Sequence, residues 1–89
     1  MFVVHWLQSA LDALSAMWVQ ADSDLRKAIT DASHRVELIL RNDPLDEGES
    51  RYGTSRIMFV PPLAVTFQIE SDGISVTILH VCLFRKREK

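Results

Sequence analysis

The sequence predicts a small α+β domain in the order β-α-α-β-β-β, with a helical hairpin packed on one face of a mainly antiparallel four-stranded sheet. Three observations predict it. The chain has 89 residues, 47% of them hydrophobic and 25% charged, which suits one folded domain spanning residues 1–89 and leaves no room for a second. Apolar residues recur at helical spacing through the first half. In the last third the period changes to two.

Phe2 to Trp6 is rich in aromatic and β-branched residues, and alternation sets Phe2, Val4 and Trp6 on one face with Val3 and His5 on the other, as in a strand. Leu7, Leu11, Leu14 and Trp18 then fall at helical spacing, with Ala10, Met17 and Ala21 beside them, predicting a first helix that starts near Ser9. The cluster Ala21-Asp22-Ser23-Asp24 breaks this pattern and offers Asp22 or Ser23 as the N-cap of a second helix. Its stripe is Leu25, Ala28, Ile29, Ala32, Val36, Ile39 and Leu40. Proline disfavours helical geometry in the residue before it, so Pro44 should stop this helix by about Arg41 to Asn42. The two helices form a hairpin with one shared apolar side.

Pro44 to Ser55, with two glycines and four charged residues, reads as a loop. Beyond it, Leu63, Val65, Phe67 and Ile69 alternate with Ala64, Thr66, Gln68 and Glu70, which marks a strand with one dry face. Arg56 to Val60 precedes that strand across Pro61-Pro62, and Ile74 to Cys82 follows it across the turn-forming Ser71-Asp72-Gly73. In this meander Ile57, Phe59, Leu63, Val65, Phe67, Ile69, Ile74, Val76 and Ile78 are expected to face the helices. Arg56, Met58, Val60, Ala64, Thr66, Gln68, Ser75 and Thr77 are expected on the open side.

Composition excludes several classes of function. Cys82, the single cysteine, cannot form an internal disulfide, and no Cys or His pair stands at zinc-finger spacing, so neither a metal site nor a cofactor is expected. The longest nearly uninterrupted apolar stretch, Ile57 to Val65, contains two prolines and is less than half the roughly 20 residues a membrane helix needs. Met1 to Leu7 is short, has no basic residue before it and is broken by His5, so it reads as a strand and not as a secretion signal. A cytoplasmic location is expected.

The net charge of −2 is unevenly placed: residues 1–50 hold nine acids and four bases, whereas residues 51–89 hold six bases and three acids. The bases gather as Arg51 with Arg56 and as the terminal run Arg85, Lys86, Arg87, Lys89. A polyanion would meet the C-terminal half; the alternative is a solvated charged tail.

Four motifs lie on these elements in a telling order. Asp43-Pro44 closes the second helix, Gly48-Glu49-Ser50-Arg51 precedes the sheet, Arg56-Ile57-Met58-Phe59-Val60-Pro61-Pro62-Leu63 enters it, and Ile78-Leu79-His80-Val81 ends it. With that element order, the chain resembles the RelE/ParE superfamily of toxins from bacterial type II toxin-antitoxin systems. The resemblance covers nearly the whole chain and rests on the order and spacing of the motifs. It implies an inhibitor of growth, held inactive by a cognate antitoxin whose extended segment wraps it.

The superfamily divides by target. RelE-like members enter the ribosome and cleave mRNA by driving a ribose 2′-hydroxyl onto the adjacent phosphate, which calls for cations beside the phosphate and for groups that move protons. ParE-like members bind DNA gyrase and are not nucleases. A fold cannot choose between them. On the expected open face Arg56 is the sole cation of the central strands, and a sequence pI near 5.8 gives little help with polyanions. The reading adopted is therefore ParE-like binding to gyrase. The alternatives are RelE-like ribosome-dependent mRNA cleavage and an inactive interaction module of the same fold.

For a nuclease the resemblance points to Arg56, His80 and Arg85 as the catalytic set; for target binding it points to Arg51, Arg56, Arg85 and Lys86. Each has a structural alternative. Arg51 and Arg56 could pin the loop through Glu49 in an exposed pair worth about 0 to 1 kcal/mol. By simple alternation His80 joins Ile74, Val76 and Ile78 as a structural histidine, while a bulge at the strand end would turn it to the open side. Trp6 and Trp18 lie on apolar stripes and read as core; His5 and His34 have no partners at metal-ligand spacing.

Overall fold

The computed structural model describes residues 1–44, 49–50 and 55–84. Its elements are β1 (Val3–Trp6), α1 (Gln8–Gln20), α2 (Ser23–Asn42), β2 (Glu49–Ser50), β3 (Ser55–Val60), β4 (Leu63–Ile69) and β5 (Ser75–Leu83). The expected order is present with one addition. The segment read as a loop contains β2, whose two residues pair with Ile57 and Arg56 and extend the sheet to the order β1-β5-β4-β3-β2. All neighbours are antiparallel except β1 and β5, which run parallel.

The local signals act as their chemistry requires. The Asp22 carboxylate accepts the Leu25 backbone N–H at 2.9 Å, satisfying one of the donors that open α2. At the other end α2 stops at Asn42, ahead of Pro44. In the β4–β5 connection the Asp72 carboxylate accepts the backbone N–H groups of Ile74 and Ser75, each at 2.9 Å, and the Ser75 hydroxyl at 2.7 Å. These bonds hold its pKa below the ordinary carboxylate value, the one to Ile74 contributing most. Gly73 closes that turn at φ +77°, a conformation that side chains with a Cβ rarely adopt.

The core lies between the helices and one face of the sheet, and among the described residues it contains no buried polar side chain. The predicted stripe of α2 faces it apart from Ala28, with Ile29, Ala32, Val36 and Leu40 fully buried and Leu25 and Ile39 packed beside them. On α1 the inward line is Ala10, Leu14, Met17 and Ala21, because this helix lies against β5 and turns that side to the sheet. Leu7, Leu11 and Trp18, expected inside, sit on its flank, and Trp18 is 42% exposed. Arg26 joins the two helices. Its guanidinium donates to the carbonyls of Trp18 (2.9 Å) and Val19 (3.0 Å) and stacks 4.5 Å from the Trp18 ring. The Trp18 indole in turn donates to the Thr30 hydroxyl at 3.2 Å.

In the sheet, Leu63, Val65, Phe67, Val76 and Ile78 point into the core as expected. Strand β3 is reversed. Met58 is 3% exposed and Val60 equally buried, while Phe59 is 47% exposed. The cause is the length of the Pro61-Pro62 turn. It places Val60 directly opposite Leu63, and opposed residues of an antiparallel pair share a face, so Val60, Met58 and Arg56 follow Leu63, Val65 and Phe67 inward. Ile74, also expected inside, precedes the start of β5 in the Asp72 turn and is 58% exposed.

Candidate functional site

The face of the sheet turned away from the helices is the surface on which the predicted site residues were expected to converge. By register it carries Val3 and His5 from β1, Ser75 and Thr77 from β5, Thr66 and Gln68 from β4, and Ile57 and Phe59 from β3. These neighbours are apolar or neutral except for the histidine. Phe59 meets Phe84, which follows β5, with ring centroids 4.7 Å apart and planes tilted by 46°. Ala64, between Phe59 and Cys82 in the register, is buried on this otherwise open side.

His80 reaches the open face through an irregularity in the ladder. Phe67 pairs with Ile78 and Thr66 with His80, so Leu79 is an extra residue on β5 and the alternation restarts after it. Ile78 and Val81 can then both be buried although they are three positions apart, and His80 is exposed beside Thr66. The simple-alternation reading of His80 as a partly buried structural histidine is thereby corrected. Cys82 follows on the same side and is also exposed.

Arg56 is not on this face. It pairs with Phe67 and lies on the same side of β3 as Met58 and Val60, partly buried at the helix side of the sheet. Its expected place beside Thr66 and Gln68 is corrected, for the same reason of turn length. Sequence reasoning could have found this, since two residues between Val60 and Leu63 bind the faces of β3 and β4 together. Arg51, Arg85 and Lys86 lie outside the described residues, so of the predicted set the structure places His80 and Arg56, on opposite sides of the sheet. Among the described residues, no Lys or Arg occupies an open-face strand position.

Sequence reasoning also missed two apolar surfaces. One is the Phe59–Phe84 pair; its signal was that all four residues Ile57 to Val60 are apolar, which leaves two apolar side chains outside whichever face is buried. The other is a groove of about 280 Å³ between the helices, lined by Leu14, Trp18, Val19, Ile29 and Thr30 among others. Among the described residues no three His, Cys, Asp or Glu side chains gather as metal ligands, and no helix is long and apolar enough to cross a membrane.

No protein-family model and no characterised protein matches the chain at the level of sequence. Solved structures do match. The chromosomal ParDE TA system from P. aeruginosa contains a chain that superposes with a TM-score of 0.75 at 19% identity, over 96% of this chain and 98% of that one. The RelBE2 toxin-antitoxin complex from Mycobacterium tuberculosis gives 0.71 at 14% identity, over 92% and 96%. The isolated E. coli RelE toxin gives 0.64 at 11% identity, over 99% and 89%. At such identities the likeness is one of architecture, and the chain has the RelE/ParE fold over nearly its whole length.

Proposed function

We propose that this chain is the toxin component of a type II toxin-antitoxin module, neutralised by a cognate antitoxin and inhibiting growth in the cytoplasm by ParE-like binding to DNA gyrase. The observation that carries the choice of target is the open sheet face, which among the described residues has no Lys or Arg at its strand positions. A surface that engages RNA phosphates draws much of its affinity from such cations. The near-complete overlap with a chain of a ParDE system supports the toxin reading.

One observation favours a second reading. The bulge at Leu79 delivers His80 to the open face beside Thr66, where an imidazole can exchange protons with a substrate. A RelE-like, ribosome-dependent mRNA endoribonuclease would use such an imidazole, with Arg51, Arg85 and Lys86 as the cations to be brought to it; Arg56, on the opposite side of the sheet, is not among them.

Induction of the chain in a bacterial host, with and without the gene beside its own, tests these readings together. Under the gyrase reading, growth stops, the neighbouring gene restores it, purified chain blocks supercoiling by purified gyrase, and mRNA ends are unchanged. His80→Ala, a change at an exposed position, leaves that inhibition intact. New codon-positioned mRNA ends that vanish in His80→Ala would overturn it in favour of the nuclease. Undisturbed growth would leave an interaction module that keeps the fold without either activity.

A further inference from the structure

We draw no further inference here: the strongest candidate, the apolar groove between α1 and α2 walled by Leu14, Trp18, Val19 and Ile29, is an unpartnered face for which nothing in the structure shows what covers it.

Discussion

Asp72 shows how much one exposed carboxylate can organise. It accepts two backbone N–H groups and a hydroxyl, so its ionised form is favoured in the folded state and its pKa is lowered. A carboxylate depressed on folding adds stability above its unfolded pKa of about 3.9. That contribution disappears as pH falls through the folded value. Asp72→Ala should therefore melt below the wild type at neutral pH, and the gap between the two melting temperatures should close in acid; a gap independent of pH would show that the charge is not what the turn uses. A second residue-scale contrast concerns neighbours on β3. Met58 is buried and Phe59 is half exposed against Phe84. Met58→Ala should cost about 2–5 kcal/mol, and Phe59→Ala only about 1 kcal/mol, on the scale of an aromatic contact. Denaturant unfolding of the two variants would read the difference, and the reverse ranking would contradict the register of the strand.

Among the elements, α2 was the most legible and β3 the least. Leu25 to Leu40 alternates apolar and polar residues around the wheel, so only one orientation buries the stripe. Ile57-Met58-Phe59-Val60 is apolar at every position, and a period-two reading then has no polar face to reject. Its orientation comes from the turn that ties it to β4. Strand β5 illustrates the opposite case, in which the irregular residue sits inside an otherwise readable pattern. Removing Leu79 leaves Ile78, His80 and Val81 in regular inside-outside-inside order. A variant lacking Leu79 should therefore keep a cooperative unfolding transition. A variant lacking Thr66 should lose it, because in β4 the same kind of deletion turns the fully buried Phe67 outward and Gln68 inward. Circular dichroism melts of the two deletions decide the point, and loss of folding without Leu79 would refute the assignment of that residue as the extra one.

At the scale of the whole molecule, the chain's first strand lies beside its last. β1 pairs in parallel with β5, Phe2, Val4 and Trp6 pack against the core, and the Phe2 N–H donates to the Arg41 carbonyl at the end of α2 at 2.8 Å. The Trp6 indole adds a bond to Glu37 of the same helix at 3.2 Å. Removing residues 1–6 should abolish cooperative unfolding, since it strips one side of β5 and uncovers apolar surface of α2 in a domain with little core to spare. A truncated chain that melts cooperatively near the wild-type temperature would show that β1 is an ornament of the sheet edge. The same closure sets the character of the open face. It is a continuous surface from His5 on β1 to Phe59 on β3, and among the described residues its strand positions carry no lysine or arginine.

Much of this architecture was written in short-range chemistry. The caps at Asp22 and Pro44, the apolar stripe of α2, the alternation of β4 and the Asp72-Gly73 turn each depend on residues within a turn or two of one another, so the element order and the inner face of β4 could be read from the chain alone. The sides taken by Arg56 and His80 could not be read from alternation. Each depends on which residue of a neighbouring strand stands opposite, and a single unpaired residue or a two-residue turn exchanges every inside position for an outside one. Pairing between strands therefore decided what the open face presents.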